Sequence, residues 1–183
     1  MNKSYTKKNR YTQKKIQYSQ EEYDSNNGMM TSIWGPSTWH LLHSISFNYP
    51  VIPTDLDKQN YKEFIFSLKN ILPCGKCRKN LVNNFKKLPL EETDLASRET
   101  FSKYVYNLHE IINTMLNKKS GLSYDDVRNT YERFRARCAE DSKKGGKNKT
   151  KKNEKGCIVP LLGKKQKCIL RIVPQTRKCK TFM

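Results

Sequence analysis

Between residues 33 and 138 the apolar side chains recur at helical spacing almost without interruption, and no stretch alternates in the manner of a half-buried strand. That pattern confines the folding unit to an all-α architecture. Trp34 to Tyr49 forms a first segment, opened near Gly35-Pro36 and stopped by Pro50 and Pro53. Tyr61, Phe64, Ile65, Leu68, Ile71 and Leu72 mark a second helix that ends at Pro73; Leu81, Val82, Phe85 and Leu88 mark a short third one. Phe101, Tyr104, Val105, Leu108, Ile111, Ile112, Met115 and Leu116 give the strongest period, a helix from about Ser97 to Asn117. A fifth starts at Ser123, whose spacing to Asp126 suits a capping box, and runs through Val127, Tyr131 and Phe134 to Cys138. Short loops join these segments, so the expected fold is a four-helix bundle with a short fifth helix.

Charge separates this unit from its flanks. The chain carries 36 Lys and Arg against 17 Asp and Glu, a formal +19. Residues 1–32 hold +3 of this, 33–138 hold +5 and 139–183 hold +11. The expected organisation is a disordered basic arm (1–32), a folded domain (33–138) and a basic, low-complexity linker with a cysteine-containing tail (139–183). No apolar run approaches the ~20 residues of a membrane-spanning helix, and Met1 to Tyr18 has neither a secretory apolar region nor the Arg-rich character of a mitochondrial presequence, so no membrane insertion is expected.

The cysteines carry the chemistry. Cys74-Gly75-Lys76-Cys77 has the CxxC spacing that closes a disulfide within one helical turn, and Pro73 in front suits the first position of a helix. Both thiols then sit where the helix dipole and free N–H groups favour thiolate, with Lys76 and Arg78 adding positive charge. Half of a zinc site is the rival reading, but the remaining cysteines supply no second CxxC and no His pair accompanies them. Trp39 and His43 are four apart on the first helix, as are His109 and Asn113 on the fourth. At about 100° per residue, His109 and Asn113 lie on the shoulder of the apolar stripe that begins at Phe101. Such pairs either bond neighbouring backbone or hold a polar cofactor between helices; His40 is assigned a structural role.

WGPSTWHLLH (Trp34 to His43), Tyr49-Pro50 with Pro53-Thr54, LPCGKCRKNL (Leu72 to Leu81), LHEIIN (Leu108 to Asn113) and the segment Lys118 to Tyr131 together resemble the Erv/ALR family of FAD-linked sulfhydryl oxidases, over about residues 33–138. The resemblance implies a helical bundle with FAD held between helices, and a function of oxidising protein dithiols through Cys74/Cys77 and FAD to molecular oxygen, giving hydrogen peroxide. It implies Cys77 next to the flavin and Cys74 as the thiol exchanging with substrate. It assigns Gly35, Trp39, His43, His109, Asn113, Lys118 and Tyr131 to the cofactor, with no metal. It also implies a homodimer, and a setting in the cytoplasm of an infected cell or a virion, or else the mitochondrial intermembrane space.

Four departures stand out. Tyr131 replaces a family Trp, Glu110 replaces the second Asn of a His-Asn pair, and a family disulfide would fall near Tyr106 and Tyr124, so packing must join the fourth helix to the fifth. The Lys-Lys-Ser-Gly loop is one residue longer than usual. Cys138 shares the apolar stripe of the fifth helix and is expected to be a buried, inert thiol. The tail cysteines Cys157, Cys168 and Cys179 recur every 11 residues and are candidates for a mobile shuttle, against the alternative of a tail acting by charge alone. The 19 residues from Cys138 to Cys157 span roughly 25 Å as a flexible chain. A basic module binding nucleic acid or an anionic surface is the alternative function, disfavoured because the charge sits in tails without interleaved aromatics.

Overall fold

The computed structural model describes residues 18–138 and 156–168. In chain order the elements are α1 (Gln20–Asp24), α2 (Thr31–Phe47), α3 (Asp55–Ile71), α4 (Gly75–Lys87), α5 (Arg98–Met115), α6 (Tyr124–Glu132), β1 (Ala136–Cys138) and β2 (Cys157–Pro160). Helices α2 to α5 are the bundle, and α6 is the short fifth member. Helix α2 packs on α5, α3 on α4, α4 on α5, and α6 closes against α2.

Caps set the helix starts. Thr54 with Asp57, Ser97 with Thr100 and Ser123 with Asp126 each form a reciprocal box that satisfies two otherwise unpaired N–H groups. The box at Thr54 begins α3 six residues before the apolar period first shows at Tyr61, because the first turn is acidic and solvated. Helix α2 starts at Thr31, so Pro36 lies inside it; Met30 O accepts from Ile33 and Trp34, and the indole Nε1 of Trp34 donates to Met29 O at 3.1 Å. The end of α5 is a Schellman turn. Asn117 takes φ 55°, a left-handed conformation that Asn tolerates, while Asn117 N–H donates to Thr114 O and Lys118 N–H to Asn113 O.

Leu42, Ile65, Leu68, Leu81, Phe101, Tyr104, Val105 and Leu108 fill the core, joined by Leu90 and Leu95 from the loop between α4 and α5. Polar groups reaching inward find partners: Tyr49 Oη donates to Leu95 O, Arg98 Nε to Tyr49 O, and Tyr104 Oη to Leu88 O. The stripe of α5 does not stay buried to its end, since Met115 and Leu116 are exposed.

Three expectations are corrected. The fifth helix stops at Glu132 rather than reaching Cys138. Arg135 pairs with Glu132 and donates to Phe47 O at the end of α2, which redirects the chain, and β1 finds an antiparallel partner in β2, with Arg137 opposite Val159. Cys138 is consequently exposed and bonded to Cys157, not a buried free thiol. Finally, the stretch assigned to an unstructured arm contains α1, with a Ser19/Glu22 capping box, and contacts to α4 made by Asn26 and Asn27.

At the positions of the missing family disulfide, two tyrosines join the helices. Tyr106 and Tyr124 meet edge to face with ring centroids 5.9 Å apart; Tyr106 Oη donates to Leu122 O, and Tyr124 Oη shares a 2.8 Å hydrogen bond with buried Ser102.

Candidate active site

Cys74 and Cys77 are joined by a disulfide at the start of α4, with Cα atoms 5.1 Å apart. Cys74 is the N-cap, so Pro73 lies one residue before the cap rather than at the first helical position. Its Sγ accepts the backbone N–H of Cys77 at 3.2 Å. One unpaired donor of the helix N-terminus is thereby aimed at sulfur.

A second constellation lies between α2, α5 and α6. Gly35, Trp39 and His43 are four apart on α2 and so share a face. Trp39 stacks on His109 of α5 with centroids 3.9 Å apart and planes 7° from parallel. His43 is 4% exposed, and its Nε2 lies 3.0 Å from His109 Nδ1. Burial, with the neighbouring His109 and His40, pushes the His43 imidazole down to about 4, and His109 is also lowered, chiefly by burial and further by Lys118 despite opposition from Glu110. Both rings are therefore neutral at pH 7, which lets one nitrogen donate to the other. The other nitrogen of His43, Nδ1, is buried without a protein partner.

Tyr131 completes the group from α6. Its ring lies 5.3 Å from those of His43 and Phe47, stacked on the latter, and burial pushes its phenol up to about 12. His40, assigned only a structural role from sequence, bonds the Tyr131 hydroxyl through Nδ1 at 3.1 Å and meets Phe134 edge-on. Asn113 is partly occupied: its Nδ2 donates to Glu110 Oε1 at 2.9 Å, so the residue that departs from the family pattern takes up that amide. Lys118 leaves the Schellman turn exposed, and its charge reaches His109. At Gly35 an added Cβ would meet nothing within 4 Å, so open space borders α2 there.

The chain after β1 covers the outer flank of this group. Two cavities of about 470 and 490 Å³ open where β2 and the residues after it cross α2 and α6, the first walled by His40 and Phe134, the second by Phe47 and Tyr131. Cys157 borders both, and Cys168, an exposed free thiol, borders the first. Cys179 lies outside the described residues.

The family model described as Erv1 / Alr family matches residues 36–135, which takes in the CxxC helix, the His43–His109 pair and Tyr131. The chain belongs to the Erv1/Alr family. It is 37% identical over 94 residues to "Probable FAD-linked sulfhydryl oxidase R368" of Acanthamoeba polyphaga mimivirus, a match covering 51% of this chain and 65% of that protein. It is 35% identical over 85 residues to the mitochondrial FAD-linked sulfhydryl oxidase ERV1 of Saccharomyces cerevisiae, covering 46% of this chain and 43% of the yeast protein. Less than two thirds of either relative is thus spanned. The crystal structure of the FAD binding domain of yeast Erv1 superposes with a TM-score of 0.52 at 27% identity, over 57% of this chain and 95% of that one. This Erv1/Alr chain therefore shares the helical core, whereas its hairpin and tail fall beyond the matched residues.

Proposed function

We propose that this Erv1/Alr chain is an FAD-dependent thiol oxidase that forms disulfides in protein substrates, using Cys74/Cys77 as the exchanging pair and molecular oxygen as the final acceptor, with hydrogen peroxide as product. The observation that carries the reading is a disulfide capping α4 within an Erv1/Alr helical core.

The residues present fit the cofactor. The unpartnered, buried Nδ1 of His43 awaits a polar group, the Trp39–His109 pair presents flat faces suited to a heterocycle, and the Lys118 ammonium suits a pyrophosphate. Gly35, Trp39, His43, His109, Asn113, Lys118 and Tyr131 would hold FAD, with Cys77 the cysteine next to it; Asn113 would have to share its amide with Glu110. Bound there, FAD would supply a two-electron acceptor for the reduced Cys74/Cys77 pair.

The exchange itself is the protein's own chemistry. A substrate thiolate attacks Cys74 Sγ, the Cys74–Cys77 bond breaks, and Cys77 leaves as thiolate near the positive end of α4. The second substrate thiolate then attacks the substrate sulfur of the mixed disulfide, and Cys74 leaves. Its developing charge is met by the Cys77 N–H already directed at that sulfur. Two substrate thiols lose two electrons and two protons, and the pair gains them. Neutral His43 and His109 add no positive charge to the site.

Oxygen uptake with dithiothreitol tests the proposal. Cys74→Ser and Cys77→Ser should each abolish it while helical circular dichroism is kept; full uptake by either variant would refute the assignment. A long-wavelength absorption band in Cys74→Ser and not in Cys77→Ser is expected from the assigned order, and the opposite result reverses it.

The zinc reading is disfavoured because both motif sulfurs are bonded to each other. Homodimerisation through helices follows from the family reading; apolar side chains such as Leu41 on α2 and Leu56 and Ile71 on α3 are exposed. Among the described residues no helix is long and apolar enough to cross a membrane. Both the viral and the mitochondrial setting are represented among the relatives.

A further inference from the structure

The segment between α1 and α2 lies on the CxxC motif itself. Arg78, one turn after Cys74, donates through Nη1 to Leu72 O at 2.5 Å, which holds its guanidinium against the end of α3. Its remaining donors reach Asn26 O at 3.3 Å, Asn26 Oδ1 at 3.1 Å and Asn27 Oδ1 at 2.8 Å. Met29 N–H donates to Pro73 O, the carbonyl next to the motif, at 3.3 Å. Gly75, between the two cysteines, makes room: a Cβ there would lie 2.3 Å from Asn27 Oδ1 and 2.9 Å from its Cγ.

Two of these contacts, Arg78 to a backbone carbonyl and Pro73 O to a backbone N–H, ask nothing of the sequence that makes them. Any polypeptide carries both groups. The strap itself is lightly held: Asn26 to Met30 are all exposed, and it contributes no buried side chain. It also contains no cysteine, so it cannot exchange with the motif it lies on.

We propose that Pro73, Gly75 and Arg78 form a docking cleft for a cysteine-bearing segment of substrate, and that Asn26–Met29 of the same chain fills this cleft until substrate displaces it. The cleft rests on the dithiol-exchange reading of Cys74/Cys77 for its purpose, and it explains how a thiol of an unfolded chain is brought beside Cys74. A small dithiol needs no such hold, so the strap selects between substrate classes. Asn26 and Asn27 set how often the cleft is open; Arg78 is the positioning residue for whichever peptide occupies it.

The test uses the full-length chain and a fluorescein-labelled, cysteine-free peptide copying residues 24–31, read by fluorescence anisotropy so that no turnover is required. If the strap is closed in nine molecules of ten, opening it raises apparent affinity about tenfold. The Asn26→Ala/Asn27→Ala variant should therefore bind the peptide several-fold more tightly than the parent chain, and adding Arg78→Lys, which keeps the charge but loses the fork, should remove the gain. The same double variant should show a lower KM for a reduced, unfolded protein without a matching fall in KM for dithiothreitol. Equal peptide affinity in all three proteins, or no binding to any, would overturn the proposal. If dithiothreitol is not oxidised by the parent chain, the oxidase reading fails, while the anisotropy result still decides the cleft.

Discussion

His43 couples the stability of this protein to pH through one nitrogen pair. An unfolded histidine titrates near 6.5, whereas burial and its imidazole neighbours hold His43 down to about 4. Between those values the unfolded chain binds the extra proton and the folded one does not. The stabilisation is complete above pH 6.5, is lost as pH falls toward 4, and amounts to roughly 3 kcal/mol. His109 is shifted in the same direction and adds to the slope. Urea unfolding at pH 7.5 and 4.5 should show this loss, and His43→Asn should flatten it; a slope unchanged in the variant would place the titration elsewhere. At this scale the sequence was informative where side chains repeat every four residues, as Trp39/His43 and His109/Asn113 do. It was silent on the partners of His40 and Arg78, since Tyr131 and Asn26 lie 91 and 52 residues away in the chain, with no period to announce them.

Between elements, two joints hold α6 and the hairpin to the bundle. The first is the Tyr106–Tyr124 contact across α5 and α6, where Tyr124 also stacks near Phe47 at 6.1 Å. Tyr124→Ala removes that half-buried ring and its hydrogen bond to Ser102 Oγ, which keeps Glu99 O, so a loss of roughly 1–3 kcal/mol is expected from thermal or urea unfolding. Tyr124→Phe, which keeps the ring, should cost only about 1 kcal/mol. An equal effect of both would show that packing contributes nothing there. The second joint is Cys138–Cys157, which closes a loop at a sequence separation of 19 and holds β2 across α2 and α6. Loop-closure entropy puts its contribution at about 3 kcal/mol. Cys157→Ser should lower the melting temperature accordingly and increase protease cleavage after Cys138, and an unaltered melting temperature would mean that the hairpin is thermodynamically separate. The pairing also reshapes the shuttle proposal. Cys157 is committed to Cys138, and among the described cysteines Cys168 is the free thiol. One route for a carrier role of the tail is exchange at Cys138–Cys157, and replacing both by Ser tests that route through slowed oxidation of protein dithiols with dithiothreitol oxidation kept. The hairpin was hard to read in advance because β1 is three residues long. Phe134 and Cys138 keep helical spacing, and only a partner strand 19 residues further on turns that stretch into sheet.

For the molecule as a whole, helix period and a few motifs in the right order located the bundle, the disulfide and most of the ring cluster, since burying one stripe per helix leaves few ways to assemble four of them. The strap across Gly75 followed from neither, because polar contacts between exposed segments leave no hydropathic trace. Under the proposed function, Cys74/Cys77 and a flavin held by the His43–His109 site act as one redox unit. The most direct measurement is the visible absorption of the purified full-length protein, supplied with FAD, during anaerobic addition of dithiothreitol. A yellow protein is expected, whose visible flavin band bleaches in the parent chain and persists in Cys77→Ser. A folded but colourless protein, or bleaching as fast in Cys77→Ser as in the parent, would contradict that reading.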